Sequence, residues 1–275
     1  MKLLLLILTL FVGCFRLSAQ TYDERISLAM DAVEKDSLYL AEKLLKEALN
    51  ADPANMKNAL LLSNLGTIQR RMGKNKEAIE SYTLAINKTP FSVTMLLNRA
   101  SLYLEMDKLD QAYSDYCNVI DLQKKNKEAL QFRAYIYMRR RQYPEARADY
   151  RALLEEEPAN MAARLGMVMV NQKDKRYQEA LEFLNLLITD YPKDVSLLKA
   201  RAEIEVEMNA LDMALLDLEN ASRIAPSDAE IYVLCGDIYM MQHKKREAYV
   251  AYEKAIEFGF PRPQLQDKLK VSKRK

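Results

Sequence analysis

Residues 127–160 read KEALQFRAYIYMRRRQYPEARADYRALLEEEPAN. Leu130, Ala134 and Tyr137 are spaced four and three apart, which places them on one face of an α-helix. After the turn Arg139-Arg140-Arg141-Gln142, the same spacing returns in Ala146, Tyr150 and Leu153. Pro158 then closes the stretch, because a residue lacking an N–H stops a helix. The segment predicts two amphipathic helices folded back to back.

The phase of this segment recurs along the chain. Ala78, Ala112, Ala146, Ala180, Ala214 and Ala248 follow one another at intervals of 34 residues. Four residues beyond them stand Tyr82, Tyr116, Tyr150, Leu184, Leu218 and Tyr252, and Ala41, Leu45 and Ala48 repeat the pattern 37 residues earlier. Pro53, Pro90, Pro158, Pro192 and Pro226 each fall twelve residues after a phased alanine, while Lys124 and the Gly259-Phe260-Pro261 run stand in the two deviating repeats. Upstream of each alanine runs another helical face, as in Leu62, Leu65, Gly66 and in Leu96, Ala100, Tyr103. Its small residue lets paired helices approach. Such a period marks an array of like units, each burying its apolar face on the next. The repeats are expected at about 22–55, 59–92, 93–126, 127–160, 161–194, 195–228 and 229–260. Leu165-Gly166 lies two residues out of phase, which predicts an insertion within Lys173 to Arg176 or a displaced helix start.

The pattern resembles the tetratricopeptide repeat (TPR), whose W-x2-L-G-x2-Y, A-x3-F and P signature is met over residues 22–260 with Leu or Tyr in place of Trp. The resemblance implies an all-α fold, a right-handed superhelical solenoid of about seven TPR helical hairpins. Residues 261–275 are expected to supply a C-terminal capping helix through Leu265 and Leu269, with a basic tail frayed beyond Val271. In that family the first helices line a concave groove that holds a peptide. Here the corresponding face presents Asn64, Thr67, Leu97, Asn98, Ser101, Gln131, Tyr135, Met138, Leu165 and Met169, turning acidic at Glu203, Glu230 and Asp237. Its apolar members either meet a protein or peptide partner or are covered by neighbouring helices. The carboxylate clamp of the chaperone-binding members needs lysines with its asparagines, and no lysine set accompanies Asn64 and Asn98.

Charge pairing marks how the hairpins close. Arg99, Arg133 and Arg201 are each followed sixteen residues later by an aspartate, Asp115, Asp149 and Asp217. The other repeats carry neither charge at these places, with Leu28 and Leu44, Leu65 and Ser81, Met167 and Phe183, and Cys235 and Ala251. Charges that come and go together predict structural ion pairs across the hairpin. The turns themselves carry cations, Arg70 and Arg71, then Arg139, Arg140 and Arg141, then Lys244, Lys245 and Arg246. They form a candidate basic edge for anionic envelope polymer or lipid.

Composition narrows the function. Six glycines and eight prolines in 275 residues disfavour an all-β fold, and 41 basic against 39 acidic side chains leave no global field for nucleic acid. His243 is the single histidine, set in a basic turn, so two-histidine zinc sites are excluded; no cofactor, metal site or catalytic residue is expected, and the chain is read as no enzyme. A phosphate-binding Gly-x4-Gly-Lys sequence is absent. Cys117 and Cys235 are expected as two buried thiols outside any disulfide.

Lys2, the apolar run Leu3 to Val12 and the small residues ending at Ala19 read as a signal peptide over 1–19. Phe11-Val12-Gly13-Cys14 also resembles a bacterial lipobox, which implies lipidation and membrane association at Cys14. The chain is thus expected to be exported, periplasmic or outer-membrane associated, monomeric by itself, and a scaffold that binds a protein in its groove.

Overall fold

The computed structural model describes residues 21–273, so the signal segment, Cys14 and the last two residues, Arg274 and Lys275, lie outside the described residues. Fifteen helices and no strand occur among those described. They are α1 Tyr22–Glu34, α2 Leu38–Ala51, α3 Asn58–Arg71, α4 Asn75–Lys88, α5 Val93–Glu105, α6 Leu109–Leu122 and α7 Lys127–Arg139. Then follow α8 Tyr143–Glu156, α9 Met161–Lys173, α10 Tyr177–Asp190, α11 Val195–Glu207, α12 Leu211–Ile224, α13 Ala229–Met241, α14 Lys245–Glu257 and α15 Arg262–Lys273. No described helix is long and apolar enough to cross a membrane.

The chain divides into two compact segments, one through Ala129 and one from Leu130. In the first, α1 and α2, α3 and α4, and α5 and α6 form antiparallel hairpins, and consecutive hairpins pack through α2 against α3 and α4 against α5. In the second, α9 with α10, α11 with α12, and α13 with α14 are hairpins in the same manner, and Arg133 on α7 is bonded to Asp149 on α8. The phased alanines explain the closeness: Ala41, Ala78, Ala112, Ala146, Ala180, Ala214 and Ala248 all have 0% exposure. A larger side chain at any of them meets the facing helix.

The hairpin turns share one backbone device. Asp36, Gly73, Asp107, Arg141, Lys175, Asn209 and His243 all adopt positive φ, between 54° and 73°. From Gly73 onward they recur every 34 residues. The N–H of the next residue then reaches back five positions, as Lys108 does to the Tyr103 carbonyl at 2.8 Å and Gln142 to that of Tyr137 at 2.8 Å. This left-handed closure satisfies carbonyls that the helix end leaves open. Between hairpins, α6 stops at Leu122 in phase with the others although Lys124 replaces proline, so proline is not required for the stop.

Two expectations need correction. α9 begins 34 residues after α7 and turns at Lys175 in phase, so there is neither an insertion nor a displaced start. Gly166 is out of phase for a different reason: it faces Tyr150 of the preceding helix, whereas Gly66 faces Tyr82 and Gly236 faces Tyr252 within their own hairpins. Val168 stands at the usual small-residue place and packs in one cluster with Leu184, which occupies the tyrosine position of the second helix. The second correction concerns the C-terminus, where α15 continues through Lys273 with Ser272 buried beyond Val271. Leu265 and Leu269 seat this cap on a cluster containing Tyr232, Ala248, Tyr252 and Ala255.

Candidate functional site

The candidate site lies on the first helices of the hairpins. In the N-terminal segment α3 carries Asn64 and Thr67, and α5 carries Leu97, Asn98 and Ser101. Only Thr67 of these is exposed; the other four are half-buried. The Thr67 hydroxyl donates to the Ser63 carbonyl at 3.1 Å and shares a hydrogen bond with the Tyr82 hydroxyl at 3.0 Å. Burial raises the pKa of Tyr82, against the lowering effect of that bond and of Arg70. Arg70 crosses from α3 to α5, donating to Ser101 Oγ at 3.1 Å and to Glu105 through two guanidinium nitrogens. A residue read as part of the basic edge is therefore bound to the groove face.

In the C-terminal segment, α7 carries Gln131, Tyr135 and Met138, and α9 carries Leu165 and Met169. Tyr135 and Met169 occupy equivalent places in successive repeats and are 40% and 55% exposed. Met138 and Leu165 are partly buried against the cores beneath them. Arg139 stands 5.9 Å over the Tyr135 ring and donates to its hydroxyl at 3.0 Å, so aromatic and cation form one surface feature.

The acidic end of this face is partly neutralised. Glu203 is exposed, whereas Glu230 accepts from Lys199, and Asp237 accepts from Lys268 of the cap at 2.6 Å through both oxygens. The Tyr252 hydroxyl also donates to Asp237 at 2.7 Å, and burial raises its pKa strongly, with Asp237 adding to the effect. Lys268 had no signal in the repeat, since it enters from α15, outside the period.

Each segment separately carries some of the residues read as a basic edge. Arg71 pairs with Asp36 at 2.8 Å, and Lys74 donates to Glu42 at 2.6 Å. In the C-terminal segment, Arg141 and His243 occupy the left-handed turn positions; Lys244 and Arg246 are exposed, and Arg140 and Lys245 half-buried.

The arginine and aspartate positions are brought together in all three hairpins. Arg99 Nε and Nη2 donate to the two oxygens of Asp115 at 2.8 Å each. Arg133 meets Asp149 in the same way at 2.8 and 2.7 Å, and Arg201 meets Asp217 at 2.6 Å twice. The three aspartates are buried, at 2%, 5% and 3% exposure, so these are internal clasps. Cys117 and Cys235 are half-buried instead of fully buried, and burial pushes the Cys235 thiol up to about 11. No group of three or more potential metal ligands occurs among the described residues.

Paired helices closed on phased alanines, stacked hairpin after hairpin, define a helical-repeat protein of the solenoid class. Tetratricopeptide-repeat family models match residues 59–87, 93–126 and 133–195. A tetratricopeptide repeat protein from Parabacteroides merdae is 35% identical over 93% of this chain and 100% of its own, with a TM-score of 0.67. The chain belongs to the tetratricopeptide repeat family. A TPR repeat-containing protein from Cytophaga hutchinsonii shares the fold at 12% identity and a TM-score of 0.75, over 89% of this chain and 99% of its own. YrrB, described as a TPR protein with an unusual peptide-binding site, shares it at 20% identity and a TM-score of 0.57, over 71% and 100%. Comparison with curated proteins returned no match.

Proposed function

We propose that this protein is a non-catalytic interaction scaffold of a bacterial cell envelope that binds a protein or peptide partner in the concave groove lined by its first helices. The observation that carries the reading is the exposure of Tyr135 and Met169 at one equivalent position of α7 and α9. An array has no packing use for an aromatic ring and a thioether on its solvent side, whereas buried at an interface such side chains are typical anchors. The exported location rests on the sequence of residues 1–19, with Cys14 as the lipidation site if the lipobox is used. The basic edge is the weaker candidate surface, because Arg70 and Arg71 are already paired with Glu105 and Asp36.

The test is affinity capture from envelope extracts with the wild type and with a Tyr135→Ser, Met169→Ser variant in parallel. A protein retained by the wild type and lost by the variant supports the groove; equal retention removes it. Salt-sensitive binding to anionic vesicles or polysaccharide, lost on replacing Arg139, Arg140 and Arg141 by alanine, transfers the function to the basic edge. The mass of the mature chain recovered from the envelope fraction decides between cleavage after Ala19 and lipidation of Cys14.

A further inference from the structure

The arginines of the clasps reach in more than one direction. Beyond its two bonds to Asp115, Arg99 donates through Nη1 to Thr83 on α4 at 3.0 Å and lies 5.8 Å over the Tyr103 ring. Arg201 likewise donates through Nη1 to Asn185 on α10 at 2.7 Å, and Arg133 lies 5.7 Å over Tyr137. The Arg99 and Arg201 guanidinia thus fill the space between two successive second helices, with an aspartate on one side and a polar acceptor on the other. A tyrosine lies beneath Arg99 and beneath Arg133.

In the last hairpin the same register holds Cys235 for the arginine, Ala251 for the aspartate, Glu219 for Thr83 and Asn185, and Tyr239 for Tyr103 and Tyr137. Neither Cys235 nor Ala251 is long enough to fill the space that an arginine and an aspartate share. A groove of about 760 Å³ opens there, and all four residues line it. The tyrosine floor is kept, and the outer acceptor has become a carboxylate. The arginine and its buried aspartate are both missing, and Glu219 Oε1 accepts from Arg223 Nη2 on its own helix at 2.6 Å in an exposed pair, so an incoming guanidinium takes the second oxygen or displaces Arg223.

We propose that this groove receives an arginine side chain of a partner protein, its guanidinium laid on Tyr239 and hydrogen-bonded to Glu219, in the place that Arg99, Arg133 and Arg201 fill within their own hairpins. The walls suit the rest of the side chain, because Leu216 and Val250 line the groove at 49% and 60% exposure and offer apolar contact to a methylene stem. Glu247 adds a second carboxylate. Burial raises the Tyr239 hydroxyl, and Cys235, Glu247 and Glu219 raise it further, so both carboxylates act on the ring that the guanidinium would cover. Of the cations lining the groove, Lys254 is already held 4.4 Å over the ring of Tyr232, two helical turns before Tyr239, and Arg246 is exposed. A planar guanidinium stacks on an aromatic face and bonds a carboxylate at its edge at the same time, which an ammonium does not. The site lies on α12, α13 and α14 and uses none of the concave-face residues, so it stands apart from the reading above.

The experiment uses the full chain and follows amide signals during titration with N-acetyl-arginine methylamide. Saturable shifts confined to α12–α14 are expected, with N-acetyl-lysine methylamide weaker by about 10-fold. Glu219→Gln should weaken the arginine response. The Cys235→Arg, Ala251→Asp variant, which fills the groove with an internal clasp, should abolish it while raising the thermal midpoint. If that variant does not fold, Tyr239→Leu replaces it, and loss of the response is again expected. Absence of saturable shifts, equal response to the lysine compound, tighter binding of N-acetyl-tyrosine methylamide, or full response in the substituted chains would overturn the proposal.

Discussion

The ring of Tyr150 on α8 lies against Gly166 on α9, so closely that a Cβ at 166 would stand 2.3 Å from the ring Cζ. This contact joins one hairpin to the next, where Gly66 with Tyr82 and Gly236 with Tyr252 close single hairpins. Gly166→Ala forces the whole ring to move, and overpacking of this kind costs about 1–3 kcal/mol against a gain of about 1 kcal/mol in helix propensity. A net loss of stability is expected in urea unfolding. In a Tyr150→Leu background the same substitution should become neutral or favourable, and an unchanged loss there would show that the ring is not the cause.

Asp149 is buried and held only by charge-assisted bonds from Arg133 on the facing helix. Asp149→Ala should destabilise by about 3 kcal/mol, since it leaves a guanidinium in a mostly enclosed place. In an Arg133→Leu background the loss should shrink or reverse, because the double variant then has the apolar character of Cys235 with Ala251. Equal losses in the two backgrounds, measured as a double-mutant cycle, would dissolve the inferred coupling.

Glu42 and Glu205 are both buried glutamates with opposite titration. Burial alone would raise Glu42, yet hydrogen bonds from Lys46, Lys74 and Gln69 outweigh it and hold the carboxyl down at about 2. Glu205 has no hydrogen-bond partner on Oε2; burial, and then Asp217, push it up to about 7 against the pull of Arg201. For Glu42 the folded value lies below the unfolded one, so its stabilisation is full above about pH 4.5 and is lost as pH falls toward 2. For Glu205 the folded value lies above it, so stability falls as pH rises from about 4.5 to 7. Glu205→Gln is therefore expected to gain about 1–3 kcal/mol at pH 8 and little at pH 4, and Glu42→Gln to lose stability at pH 7 but not at pH 2. Chemical unfolding across pH checks both signs.

The left-handed turn positions hold Gly73 in one hairpin and Arg141 and Lys175 in others. A side chain there costs roughly 1–2 kcal/mol, part of which glycine returns as unfolded-chain entropy. Arg141→Gly and Lys175→Gly should each stabilise by up to about 1 kcal/mol, Asn209→Gly should change little, and Gly73→Ala should destabilise by about 1 kcal/mol. A loss of thermal midpoint in Arg141→Gly would contradict the turn geometry as the cause.

Several features were legible because they repeat. The phased alanines, the helices they lie on and the arginine-to-aspartate spacing all follow from residues within one hairpin, where helical periodicity converts sequence distance into position. The left-handed turns escaped notice because only one of them is marked by glycine. Lys268 on Asp237 escaped as well, since the cap stands outside the period.

By itself the sequence determined that the chain is helical, that its helices pair, and which residue types face each other across each pair, because these depend on local spacing that the repeat states six or seven times. Tertiary structure alone decided what passes between hairpins: Tyr150 pressing on Gly166, Arg70 reaching Ser101 and Glu105, and the open groove beside Cys235. Those contacts depend on how far one packed helix pair stands from the next. Side-chain volumes on both sides set that distance together, and no single stretch of chain encodes it.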